Sequence, residues 1–241
     1  MTKKAVILAA GRGGRLEHRT DASPKCLVPV AGRPIIHHVL TSRSRAGITE
    51  VVLVLGHHGD QVVADLGDGR RFGVEIRYVW NRDYTKGNAS SLSRALPIVG
   101  GDPFLLVMGD HLCSATLLRT FLAGVDGRCT VGVDRSDLGE ERTAEATKVA
   151  MVDGLIVDIG KSLERFDGVD TGFSHWPAGT FTAHAQDPCE GELAALMTRL
   201  ARSEGGLSSC DVSGHFWYDI DTEDDLRLAE QMLQADRSRL S

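Results

Sequence analysis

The first half of the chain alternates short, wholly apolar runs with stretches of helical periodicity. Ala5-Val6-Ile7-Leu8-Ala9-Ala10, Val51-Val52-Leu53-Val54-Leu55 and Phe104-Leu105-Leu106-Val107-Met108 carry no polar residue. Runs of this length without alternation are the pattern of strands buried on both faces of a parallel sheet. Residues 74–80 alternate apolar and polar instead, which predicts a strand nearer an edge. Between these runs the spacing predicts a helix that opens at Pro34 and ends by Gly47, and a short one over 60–66 with Asp60 as its cap. Strands and helices in turn make an α/β fold with a Rossmann-like, doubly wound sheet.

The rhythm changes after about residue 125. Residues 148–152 and 155–159 are apolar-rich runs separated by Asp153-Gly154, the pattern of a hairpin with a two-residue turn. Residues 169–175 are the candidate for a further strand, and residues 190–202 read as an amphipathic helix. Thr222 opens the last helix, with Glu223, Asp224 and Asp225 in its first turn matched to the helix dipole. No repeat or linker interrupts the pattern. The expectation is one domain over 1–241: a nucleotide-type half to about residue 125, then a smaller, β-rich half over about 126–241, giving a mostly parallel mixed sheet overall.

Composition narrows the partners. Apolar residues make up 42% of the 241, enough for a core, and the net charge is −6. That balance argues against nucleic acid, which favours a basic footprint. A local cluster of Arg and Lys can still recruit a small anion. The five cysteines, Cys26, Cys113, Cys129, Cys189 and Cys210, are widely spaced, with no C-x-x-C. They predict neither a zinc site nor a disulfide framework, as expected for a cytoplasmic protein. The apolar run after Lys3-Lys4 is too short for a signal peptide, and no run reaches membrane length.

The candidate chemistry begins where the first strand ends. Leu8-Ala9-Ala10-Gly11-Arg12-Gly13-Gly14-Arg15-Leu16 is followed by Ser23-Pro24-Lys25-Cys26-Leu27. Glycines at 11, 13 and 14 free the backbone to approach a ligand and to expose amides as an anion cradle. Arg12, Arg15 and Lys25 add cations to it. The loop is no Walker A, because Gly-Lys-Ser/Thr is missing. Nor is it the dinucleotide fingerprint, because Leu16 stands where the third small residue belongs.

This stretch resembles the signature of the sugar-phosphate nucleotidyltransferases, L-A-A-G-x-G-x-R-L with P-K-x-L about a dozen residues on. Further segments carry the likeness over most of the sequence. Gly109-Asp110-His111 ends a buried strand at the edge where open α/β sheets bind ligands. Position alone leaves Asp110 between a surface acid and a ligand; the resemblance implies a metal-binding aspartate. Phe216-Trp217-Tyr218-Asp219-Ile220-Asp221-Thr222 is similar to the family's W-x-D-x-D-T-x-E-D ending, which implies a second metal acid, with Asp221 preferred and Asp219 as the other choice. Gly87, Asn88 and Ser90, in Lys86-Gly87-Asn88-Ala89-Ser90-Ser91-Leu92, look like the base-binding segment. Their plainer reading is a loop and an ordinary helix cap.

Thr147-Lys148-Val149, Gly160-Lys161 and Val169-Asp170-Thr171-Gly172-Phe173, with His111, resemble the cytidylyltransferases that act on inositol 1-phosphate. That likeness implies a nucleotide-diphospho-sugar transferase fold and transfer of CMP from CTP to a small phosphate, with Mg²⁺ and release of pyrophosphate. The implied nucleotide site is Leu8, Ala9, Ala10, Gly11, Arg12, Gly13, Gly14, Lys25, Gly87, Asn88, Ser90 and Asp110, with Lys25, Arg15 and Asp110 catalytic. The implied acceptor site is His111, Lys148, Lys161, Asp170, Thr171 and Gly172. Phosphocholine, a phosphonate or a sugar 1-phosphate with another nucleotide remain alternatives, and a monomer and a homodimer are both open. A nucleotide-sugar glycosyltransferase would carry a D-x-D near the middle of its sequence, whereas here the only such pair, Asp219-Ile220-Asp221, lies near the end.

Overall fold

The computed structural model describes residues 2–16, 20–183, 191–235 and 240. Its strands in sequence order are β1 (Lys4–Ala9), β2 (Pro29–Val30), β3 (Arg33–Pro34), β4 (Glu50–Leu55), β5 (Glu75–Trp80), β6 (Phe104–Met108), β7 (His111–Cys113) and β8 (Thr130–Asp134). They continue with β9 (Lys148–Val152), β10 (Leu155–Gly160), β11 (Gly168–Trp176), β12 (Ser208–Asp211) and β13 (Trp217–Asp219). The α-helices of six residues or more among the described residues are α1 (Ile35–Arg45), α2 (Gly59–Leu66), α3 (Asn88–Val99), α4 (Ala115–Ala123), α5 (Glu140–Glu145), α6 (Leu193–Ala201) and α7 (Glu223–Ala235).

Nine strands form one sheet in the order β5-β4-β1-β6-β11-β8-β12-β10-β9. The first four run parallel, as the apolar runs require, and β5 is the edge strand that its alternation predicts. Successive side chains of a strand face opposite sides. Accordingly Ala5 and Ile7 of β1 join the apolar layer under α1, α4 and α7, while Val6 and Leu8 join the layer under α3 and α6. Helices on both faces make the sheet doubly wound.

Beyond β6 the sheet becomes mixed. Strand β11 runs antiparallel to both β6 and β8, and also pairs with β9. Because β9 pairs β10 and β10 pairs β12, the strands β11, β8, β12, β10 and β9 close on themselves as a small ring. This ring is the β-rich lobe, and it shares β11 with the main sheet.

The local expectations mostly hold. Asp153 and Gly154 have φ of 51° and 79°, as a two-residue hairpin turn demands. Helix α1 starts after Pro34 and stops before Gly47. One boundary differs: α2 begins at Gly59, after a left-handed His58, so Asp60 sits in the first turn and is not the cap. The other difference is α6, which starts at Leu193. The first residue of the predicted 190–202 helix, Glu190, lies outside the described residues. A two-stranded ribbon of β7 and β13 was hidden in the sequence, because three-residue strands carry too little periodicity.

Candidate functional site

The site lies at the carboxyl ends of β1 and β6. Backbone closeness there depends on glycine: a Cβ on Gly109 would meet the Cβ of Ala9 at 2.8 Å and the Leu8 carbonyl at 3.0 Å. Gly109 donates its amide to that carbonyl at 2.9 Å, which seats the following Asp110 over the end of β1. Gly13, at φ +70°, clears space for Lys25, whose Cβ would be 2.7 Å from a Cβ on Gly13. The glycine loop and the Pro24-Lys25 turn are thus fitted to each other.

Lys25 is buried, and its ammonium reaches Asp110 at 2.6 Å and Asp221 at 2.7 Å. Burial by itself would lower its pKa. Facing Asp110, Asp221 and Asp219 outweighs that and holds it above the ordinary lysine value. Arg15 donates to the other oxygen of Asp221 at 2.5 Å and lies 3.5 Å from Glu145 of α5. Asp221 itself is held by the first turn of α7. Its amide, with the amide and hydroxyl of Thr222, donates to Asp225 at 2.8–3.1 Å. This is a reciprocal cap, since Asp225 N donates back to Thr222 at 3.2 Å. Glu145 escaped the sequence reading entirely, whereas Thr222-x-x-Asp225 is a capping pattern visible in it.

His111 and Asp219 face each other across the β7–β13 ribbon, in register. The His111 Nε2 is 3.3 Å from Asp219 Oδ1 and 3.8 Å from Asp110 Oδ1, and one ligand atom from each of the three residues lies within 4.8 Å of the others. Both carboxylate oxygens are buried without a hydrogen-bond partner among the described residues. At the far side of the ring, Nδ1 is 3.0 Å from the Thr171 carbonyl. Burial would lower the His111 pKa, but Asp219 and Asp110 raise it to about 9. The same proximity drives Asp219 below the carboxylate range despite its burial.

The structure brings Arg15, Lys25, Asp110, His111, Asp219 and Asp221 together, and gives several of the expected residues partners of their own. Of the two acids near the end, Asp219 faces Asp110 and His111, while Asp221 is engaged by Lys25 and Arg15. Thr171 lies at the site by its carbonyl alone; its hydroxyl is fully buried and donates to Gly132 O at 2.8 Å. Gly172, at φ +77°, leaves room for His111, whose Nδ1 would sit 2.3 Å from an added Cβ. Asp170 accepts from the Gly172 amide at 2.8 Å, and burial pushes its carboxyl up to about 6.

Lys148 pairs with Gly160 in the hairpin, which places Lys161 beside it as the turn implies. Its ammonium donates to the Lys161 carbonyl at 2.7 Å. In the expected base segment, Gly87 is close to Gly191, but the Ser90 hydroxyl is buried, donating to Gly87 O at 2.7 Å and accepting from Asn81 at 2.9 Å. The Asn88 carbonyl oxygen caps α6 by accepting from Leu193 N at 2.6 Å. These two side chains also hold the loop, through the bonds just given. Arg12 is exposed, 3.9 Å from Asp21.

Residues 5–199 match the MobA-like NTP transferase domain. The chain belongs to that family. Family likeness extends to a bifunctional IPC transferase and DIPP synthase of Aquifex aeolicus, 33% identical over 233 residues, covering 97% of this chain and 52% of that protein. A protein of the same description from Archaeoglobus fulgidus is 36% identical over 236 residues, covering 95% of this chain and 44% of that protein. The chain therefore spans about half the length of these relatives. The solved inositol-1-phosphate CTP transferase from T. maritima superimposes with a TM-score of 0.81 at 25% identity, covering 97% of both chains. Among the described residues, no helix of this NTP transferase is long and apolar enough to cross a membrane.

Proposed function

We propose that this NTP transferase moves CMP from CTP to a small phosphate monoester, with inositol 1-phosphate as the acceptor class, and releases pyrophosphate. The observation that carries the reading is the meeting of two halves at one point. The Lys25–Asp110–Asp221 cluster at the ends of β1 and β6 adjoins His111, which is held by the Asp170-Thr171-Gly172 bend of β11. Relatives bearing the IPC transferase description, and the inositol-1-phosphate CTP transferase from T. maritima, supply the substrate pair.

An acceptor phosphate is largely dianionic near pH 7, since its second pKa is about 6. It needs no general base, and the reaction reduces to placement and charge stabilisation. An acceptor oxygen forms a bond to the α-phosphorus as the bond to the bridging oxygen breaks, and pyrophosphate leaves. Lys25 and Arg15 are the cations available to the triphosphate. In this structure they rest on Asp221, so the phosphates would compete with that carboxylate for them. The chemistry of the donor set, buried carboxylate oxygens of Asp110 and Asp219 that accept no hydrogen bond and face only the His111 imidazole among the ion pairs of the described residues, fits a hard divalent cation such as Mg²⁺. Such an ion supplies Lewis-acid charge stabilisation and a template for phosphate oxygens when bound. Asp221 is then the anchor of Lys25 and Arg15, in place of the metal role expected from the sequence.

On the acceptor side, Asp170 would accept hydrogen bonds from hydroxyls, and Lys148 and Lys161 would attract a phosphate. The test is a matrix of four nucleoside triphosphates against inositol 1-phosphate, phosphocholine, a phosphonate and a sugar 1-phosphate, read as pyrophosphate release. Turnover with CTP and inositol 1-phosphate at least tenfold above every other pair is expected. Preference for phosphocholine or a phosphonate would overturn the acceptor, and preference for another triphosphate would overturn the donor. Lys148→Ala should raise KM for the acceptor while leaving KM for the nucleotide within twofold.

A further inference from the structure

Arg43 is an anomaly that the reaction does not use. It lies near the end of α1 with its side chain fully buried, and no carboxylate reaches it among the described residues. Burial presses its pKa down. An unpaired buried charge is costly to keep, and a leucine would fill the same space without that cost. The contacts that offset the cost are few. One guanidinium nitrogen donates to the neighbouring Ser42 hydroxyl at 2.8 Å, and the other donates to the backbone carbonyl of His111 at 3.2 Å. The guanidinium carbon sits 5.4 Å from the centre of the Phe173 ring. Phe173 in turn meets the His111 ring edge-on at 6.3 Å. The Arg43 Nε has no hydrogen-bond partner among the described residues.

Apart from its own helix and the buried Cys113 thiol beside it, the contacts of this cation given above lead to the residue that follows Asp110 and faces Asp219. We infer that Arg43 is a positioning residue. Its fork pins the Asp110-His111 turn to α1 from behind and holds the backbone there at the register where Asp110 Oδ1, His111 Nε2 and Asp219 Oδ1 converge. The inference rests on the reading of that convergence as a cation site. Arg43 touches no substrate; it acts through the His111 carbonyl. A methionine of similar length fills the volume but cannot hold the carbonyl. A lysine keeps the charge and one donor but loses the fork.

Direct binding separates this role from a general packing role. Mn²⁺ is titrated into the unmodified protein, Arg43→Met, Arg43→Lys and Phe173→Leu, with free ion read by electron paramagnetic resonance. Each variant is first shown to be folded by near-ultraviolet circular dichroism at the working temperature. Outer-shell partners of metal ligands are worth about 10–100-fold in affinity. Arg43→Met should weaken Mn²⁺ by that factor and lower kcat, with KM for the acceptor within twofold. Arg43→Lys should fall between it and the unmodified protein, and Phe173→Leu should weaken Mn²⁺ severalfold. If Arg43→Met does not fold, Arg43→Lys and Phe173→Leu carry the same comparison. Mn²⁺ affinity within twofold of the unmodified protein in the folded variants overturns the inference. An unmodified protein that binds no Mn²⁺ overturns the cation site itself, and this inference with it.

Discussion

Replacing Gly172 by alanine should separate what that bend does for stability from what it does for catalysis. The backbone there has φ +77°, and an added Cβ would lie 2.3 Å from His111 Nδ1 and 2.4 Å from Cε1. Ordinary van der Waals contact begins near 3.4 Å, so the ring must retreat by 3.4 − 2.3, about 1.1 Å. The left-handed backbone costs a non-glycine residue about 1–2 kcal/mol. A retreat of that size also breaks the 3.0 Å contact between Nδ1 and the Thr171 carbonyl, worth about 1 kcal/mol. Together these give about 2–3 kcal/mol, or a fall in Tm of about 4–12 °C for a protein of this length. A misplacement near 1 Å can cost about 10²-fold in rate, so kcat should drop by a similar factor. The assay is calorimetric Tm together with kcat at saturating substrates, well below the transition. Gly154→Ala is the control, because it shares a positive φ of +79° with nothing within 4 Å of its added Cβ. It should lose about 1–2 kcal/mol and keep its kcat. A Gly172→Ala protein with lowered Tm and full kcat would refute the claim that this bend places a functional histidine.

Lys25→Ala should lower kcat by about 10²–10³, and near-normal pyrophosphate release would remove it from the triphosphate site. Asp219→Asn should abolish direct Mn²⁺ binding, whereas Asp221→Asn should retain binding and lose rate; the opposite result would return the metal role to Asp221. Asp110→Asn combined with Asp219→Asn should be little worse than either alone, because ligands of one ion act as a unit, and multiplicative losses in pyrophosphate release would argue against it. Burial raises the Asp170 carboxyl to about 6, so the fold loses stability as pH rises from the ordinary carboxylate value to about 6; the penalty is absent well below that range and complete above it. Asp170→Asn should therefore stabilise the fold more at pH 8 than at pH 4, by at most about 3 kcal/mol, while raising KM for a polyol phosphate; an equal change in unfolding free energy at both pH values would contradict the direction of the shift.

The parallel half of the fold was legible because its signals are local. Wholly apolar runs such as residues 51–55 have few alternatives to a buried strand, and Asp153-Gly154 specifies its own turn through two positive φ angles. The meeting of the glycine loop with Lys25 was legible for the same reason: the glycines and Lys25 lie close in sequence, and Gly13 packs against the lysine in space. The site at the other end of the reaction was not. Asp219 and Asp221 are two residues apart and chemically identical, so no rule of spacing tells which one faces Asp110 and His111 and which one engages Lys25. Only the β7–β13 register, which sets Asp219 opposite His111, separates them, and strands of three residues have too little pattern to announce that register. Ser90 and Asn88 looked available because polarity in a loop does not reveal its partners, which here are Asn81 and Leu193. Arg43 shows the same limit from the opposite side. In sequence it is one of several cations on a helix, and burial, which depends on everything packed around it, makes it a charge held against the back of the site.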